Sequence, residues 1–157
     1  MDPRADQLIL ELQLALHPEG GHFRRIYESA TAVERDGRGR PALTAIHFLL
    51  ARGEVSHWHR VDADESWHWQ EGGALELLVF DPSAGELVTT VLDRSGQGTP
   101  MHVVPAGHWQ AARPLGDYTL VACTVSPGFV WEGFELLEDG SDVALALMNA
   151  GGLPLSR

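Results

Sequence analysis

Apolar and polar positions change their period once along this chain. From Asp2 to Leu16 the residues Leu8, Ile9, Leu12 and Leu16 recur at helical spacing, and Asp2 with Pro3 supplies an N-cap and first-turn pair. This predicts an opening helix, broken by HPEGG. Beyond that break the pattern is one of short apolar runs separated by turn residues, which predicts strands. HFRRIYES reads as one strand and ALTAIHFLLA as a longer, more buried one. LELLVF and LVTTVL flank DPSAGE and predict a hairpin. MHVVPAGHW, YTLVACTVS and FVWEGFELL complete the set, while AVERDGRGR and DRSGQGTP read as loops. SDVALALMNAGG predicts a short capped helix ending at glycine. Many short strands in one chain suggest a sandwich or barrel, with jelly roll among the options.

Length and charge narrow the picture. The 157 residues suffice for one domain with a real core and are too few for two ordinary ones. A single domain over 1–157 is therefore expected, with its core at about 17–138. No apolar run is long enough to span a bilayer, and MDPRADQ carries no signal pattern, so no membrane contact and a cytoplasmic location are expected. The formal net charge of −11 argues against a nucleic-acid partner, which needs a basic face. All eleven basic residues are arginine, and the lack of lysine removes Schiff-base chemistry. Cys123 lies in an apolar run and reads as a buried small hydrophobe.

Candidate chemistry concentrates in EVSHWHRVDADESWHWQEGG, residues 54–73. On a strand, His57 and His59 share one face with alpha-carbons roughly 6.5–7 Å apart. A chain reversal between Arg60 and Asp64 brings Glu65 back beside them. Imidazole and carboxylate together suit a transition metal such as zinc, nickel, iron or manganese. The competing reading is a polar pocket in which the histidines and Glu65 are hydrogen-bonded or salt-bridged without an ion. Trp67, Trp69 and Trp109 suggest an apolar wall able to stack on a ring or sugar face. His68 has opposite parity to Glu65 and is expected to face the other way, and His47 reads as a core histidine.

Gly53-x3-His57-x-His59-x5-Glu65-x6-Gly72 resembles the first motif of the cupin superfamily, with small departures in spacing. The second cupin motif has its counterpart from Gly98 through Pro105 and Gly107, but the position of the fourth ligand holds Gln110 instead of histidine. LHPEGGHFRRIYES, TAIHFLL, SHWHRVDADESWHW, VVPAGHWQAA and GDYTLVACTVSPGFVWEGFEL together resemble a small single-domain cupin subgroup of unknown function, over residues 10–138. The resemblance implies an all-β fold, a double-stranded β-helix or jelly-roll barrel, here with short N- and C-terminal helices. It also implies a homodimer, similar in shape to sugar-nucleotide epimerases and germin-like metal cupins.

Three functions stay open at this point. The first is isomerase- or epimerase-type proton transfer on a small polar, carbohydrate-like metabolite. Here His59 and Glu65 are the catalytic candidates, and Tyr27 joins them because epimerases of this fold pair a histidine with a tyrosine. Arg24 and Arg25 beside Tyr27 could hold an anionic substrate, and Gln110 with the tryptophans could contact it. The second is a metal-dependent oxygenase-type cupin, with His57, His59, Glu65 and Gln110 around a divalent ion. The third is a dimer that binds a small ligand without turnover.

Overall fold

The computed structural model describes residues 1–152. Two antiparallel sheets face each other. The first contains β1 (Ala15–Leu16), β2 (His22–Glu28), β5 (Thr44–Ala51), β7 (Asp64–Gly72), β10 (Met101–Val104) and β12 (Tyr118–Ser126), in the order β1-β2-β5-β12-β7-β10. The second contains β6 (Ser56–Val61), β8 (Leu75–Asp81), β9 (Glu86–Leu92), β11 (Trp109–Pro114) and β13 (Phe134–Leu136), in the order β13-β6-β11-β8-β9. From β5 to β8, and again from β9 to β13, successive strands alternate between sheets, so that β5, β7 and β12 meet in one and β6, β8 and β11 in the other. That is the jelly-roll arrangement.

Strand parity sends one set of side chains inward. Phe48, Leu50, Trp67, Leu75, Leu77, Val79, Val121 and Cys123 form the barrel core, all buried. The outer face of each sheet is partly covered by a helix. Helix α1 (Pro3–Glu11) is capped by the Asp2 carboxylate, which accepts from the Arg4 and Ala5 amides, and lays Ala5 and Leu8 on Leu49, Ala51 and Leu120. Helix α2 (Asp142–Asn149), capped by the Ser141 hydroxyl, places Leu147 on Trp58, Phe80, Trp109 and Ala111. Burying these apolar faces offsets the ordering entropy of short helices that are marginal alone.

Three sequence readings change. Leu16 belongs to β1 and is exposed, because the helix ends at Glu11. AVERDGRGR is a hairpin, β3 (Ala32–Arg35) with β4 (Arg38–Pro41). Its two-residue turn needs positive φ twice, which Asp36 (53°) and Gly37 (77°) supply. MHVVPAGHW is two strands, β10 and β11, in different sheets, and Pro105–Gly107 carries the chain between them.

A bulge in β2 matters for the site. Phe23 pairs with Phe48 and Arg25 with Ile46, but the register shifts between Arg25 and Tyr27, so Tyr27 pairs with Ala45. One inserted residue flips the following side chain to the other face.

Candidate functional site

At one end of the barrel the two sheets part around a cavity of about 230 Å3. Its walls are Phe23, Ile46, Val61 and Val125, and its inner end carries Glu19, His59 and Glu65. The segment after β12 folds over it and adds Phe129, Trp131 and Phe134, the first two with rings edge to face at 4.9 Å between centroids.

Three buried ionisable groups meet here. Glu19 comes from the hairpin loop HPEGG between β1 and β2. That loop is tight: the His17 amide donates to the Gly21 carbonyl at 2.9 Å, and Gly20 and Gly21 adopt φ of 108° and 76°. The loop turns Glu19 into the barrel end, where Oε2 lies 2.9 Å from Nε2 of His59. On the other side of the ring, Nδ1 of His59 lies 2.7 Å from the His57 carbonyl, to which it donates. With both nitrogens facing acceptors, the ring is held as the imidazolium. Burial alone opposes that charge, but the Glu19 carboxylate outweighs it through charge and hydrogen bond, Glu65 and the His57 carbonyl add to this, and the pKa is pushed up to about 9. Glu19 correspondingly lies below the usual carboxylate range: burial opposes its ionisation, and the His59 charge and hydrogen bond overcome it.

Glu65 behaves differently. It is the second residue of β7, just after the turn from β6, and its buried side chain has no cation in contact among the described residues. Burial pushes its pKa up to about 7, the His59 charge counteracts, Glu19 repels, and a hydrogen bond from Gln110 offsets part of the rise. The Gln110 amide donates to Oε1 at 2.8 Å and is itself oriented by Trp67, whose indole N–H donates to the Gln110 oxygen at 2.7 Å. This chain fixes one carboxylate oxygen and leaves the other without a protein partner among the described residues. His17 also lines the cavity. Its Nδ1 accepts from the Glu19 amide at 3.1 Å, and burial keeps the ring below the ordinary histidine range.

The structure brings together only part of the predicted set. His59, Glu65 and Gln110 converge, and Gln110 pairs directly opposite His59 between β11 and β6. Trp67 touches the site through Gln110 but belongs to the core. Tyr27 does not reach the cavity: the β2 bulge puts it outside, half exposed. Arg24 also points outward and bonds Gln13, while its neighbour Arg25 lines the cavity. Trp69 lies apart from the cavity, with its indole N–H on the Gly73 carbonyl, and Trp109 packs under α2 with Arg60 on its ring. The aromatic wall is instead Phe23, Phe129, Trp131 and Phe134. His68 faces outward as expected, bonded to Ser66. Glu19 is the residue that sequence reading missed. Its signal was a lone carboxylate before two glycines, in a loop too tight to leave it free.

The four metal candidates do not form a donor set as arranged. His57 is not among the residues lining the cavity: the Glu19 loop crosses there, and the His57 amide donates to the Glu19 carbonyl at 2.7 Å. His59 turns both nitrogens to other acceptors, and Gln110 turns its oxygen to Trp67. Among the described residues no three His, Cys, Asp or Glu side chains are placed to hold an ion. No helix is long and apolar enough to cross a membrane.

A barrel of two facing antiparallel sheets with polar groups gathered at one open end is a double-stranded β-helix. The family model of the cupin superfamily described as DUF985 matches residues 6–137, and the chain belongs to that family. A hypothetical protein from Leishmania major is 29% identical, with TM-score 0.84 over 93% of this chain and 94% of that one. A Shewanella oneidensis protein is 36% identical, with TM-score 0.82 over 96% and 98%. Bacillus subtilis oxalate decarboxylase, at 15% identity and TM-score 0.59, shares the fold over 88% of this chain and 34% of its own. Mn(II) centres are described for that decarboxylase. No curated protein sequence matches the chain.

Proposed function

We propose that this cupin is an isomerase that moves a proton within a small polar metabolite, with Glu65 as the acid–base group. The carrying observation is a buried carboxyl at the inner end of a cavity open at one end of the barrel, one oxygen fixed by Gln110 and the other facing the space a substrate would fill. A group whose pKa lies near the working pH both takes and returns a proton efficiently, and about 7 meets that requirement. In the step, the C–H bond beside a substrate carbonyl breaks and its proton goes to Glu65. The electron pair moves to the carbonyl oxygen as an enolate, the proton of the adjacent hydroxyl passes to that oxygen to give the isomeric enediolate, and the same carboxyl then protonates the carbon that bore the original carbonyl. The His59 imidazolium supplies positive charge in a water-poor site as the enolate forms. Glu19 is a positioning residue that keeps His59 charged.

A single carboxyl favours isomerisation over epimerisation, which needs an acid on the opposite face. Tyr27, the residue expected there, is outside. His59 is a weaker candidate base than the sequence suggested, because both its nitrogens already donate.

The test is exchange of carbon-bound hydrogen in deuterated water, read by NMR across a panel of small hydroxy-aldehydes and hydroxy-ketones, with and without a carboxylate group. Wild type is expected to wash deuterium into one compound at the carbon beside the carbonyl, Glu65→Gln to abolish this, and Tyr27→Phe to leave it unchanged. Saturable binding without exchange would instead identify a ligand-binding module.

A further inference from the structure

We propose that the cavity selects a small monocarboxylate, with the ligand's carboxylate on Arg25 and its uncharged body among Phe23, Phe129, Trp131 and Phe134; this rests on reading the cavity as the substrate site. Size is the first constraint. The cavity volume is about 230 Å3. Sites for drug-sized ligands run to about 300–1,000 Å3. A molecule up to the size of a single sugar ring matches the cavity, and one as large as a nucleotide-linked sugar would extend out through its mouth.

Charge is the second. Among the described residues Arg25 is the only permanent cation lining the cavity. Its partners leave capacity: one N–H donates to the Phe129 carbonyl at 3.2 Å, and Glu28, itself exposed, stands 3.6 Å away. The guanidinium also sits 5.8 Å from the centre of the Phe129 ring, so the aromatic wall holds it at the rim. His59 is already ion-paired with Glu19 and donates through both ring nitrogens, which leaves no second unpaired cation among the residues lining the cavity for a dianion such as a phosphate monoester. One guanidinium matches one carboxylate.

Placement is the third. Arg25 lies on β2 and Glu65 on β7, with β5 and β12 between them. Three inter-strand spacings, with a two-residue offset because the register sets Arg25 level with Trp67, put their backbones about 16 Å apart along the sheet. Both side chains reach inward, so a carboxylate held at Arg25 leaves a gap of a few atoms to Glu65. The body of the ligand bridges that gap, and its reacting carbon meets the carboxyl at the far end.

Benzoate is the probe, with benzamide as its neutral isostere, benzamidine as the cation and phenyl phosphate as the dianion. NMR titration follows the Trp131 indole up to about 10 mM, a range suited to fragment-sized ligands. Wild type is expected to bind benzoate about tenfold more tightly than benzamide, the worth of one charge-assisted pair. Arg25→Gln should remove that preference by weakening benzoate alone, with unchanged benzamide binding as proof of an intact cavity, and Arg25→Lys should restore part of it. Equal affinities in wild type, a preference that survives Arg25→Gln, tighter binding of benzamidine or phenyl phosphate, or no benzoate binding would each overturn the proposal. Glu65→Gln should still bind benzoate. Lost hydrogen exchange with benzoate selectivity intact would therefore count for the proton-transfer reading, and the converse pattern against the ligand class alone.

Discussion

Raising the pH from 6 to 8.5 should destabilise this protein, and the buried groups at the cavity set the size of the loss. A histidine whose folded pKa is about 9 against an unfolded value of about 6.5 favours the folded state most below the unfolded value. That contribution disappears as pH rises through the folded one. Integrated over this window, His59 accounts for about 2 kcal/mol of lost stability. Glu65 acts in the same direction. With a folded pKa of about 7, it must give up its proton in the folded state at a pH where the unfolded chain has long done so, costing about 1 kcal/mol more. Glu19 does not oppose this: its pKa is depressed, so its contribution is lost only in acid, as pH falls through the folded value. The Cys123 thiol, which burial pushes well up, adds to the loss only from the upper edge of the window onward, where the unfolded thiol begins to ionise. Urea unfolding at pH 6, 7, 8 and 8.5 measures the slope. In Glu19→Gln/His59→Asn the slope should shrink to the Glu65 share. A wild-type protein equally stable at pH 6 and 8.5 would refute the assignment of a charged His59.

The remaining expectations concern neighbours of the same groups. Gln110→Leu removes a hydrogen bond that favours the Glu65 carboxylate, so the acid limb of any pH–rate profile should move to higher pH. Gly21→Ala should destabilise by at least about 1 kcal/mol, because a Cβ at φ 76° would meet Leu50, Leu49 and Phe48 atoms at 2.7–2.9 Å; a cooperative, wild-type melting curve would contradict this. Elemental analysis of untagged protein should find no stoichiometric divalent ion bound through His59 and Glu65, and uptake lost in Glu65→Gln would overturn that. The outer face of the first sheet, where Tyr27, Met101 and Val103 are exposed beyond the edge of α1, is where the homodimer implied by the sequence resemblance would form. Light scattering should then report twice the chain mass for wild type and the chain mass for Tyr27→Glu/Val103→Glu.

The chain's own pattern determined the class of fold. Period-two apolar runs can bury only one face each, and two such sheets closing on each other was the natural outcome. It also located His59, Glu65 and Gln110, because an HxH pair before a turn puts a returning carboxylate opposite it, and the second motif runs beside the first. Three things were decided in three dimensions. A one-residue bulge in β2 turned Tyr27 out and left Arg25 facing in, and a bulge depends on pairing with β5, not on any local signal. The loop that reads as a helix breaker delivered Glu19 to His59, a contact between residues forty positions apart that no periodicity encodes. The tryptophans beside the motif went to the core and to the cover of α2, since large rings bury wherever parity and packing leave room. The aromatic wall of the cavity was left to Phe129, Trp131 and Phe134, which reach it because the chain doubles back after β12.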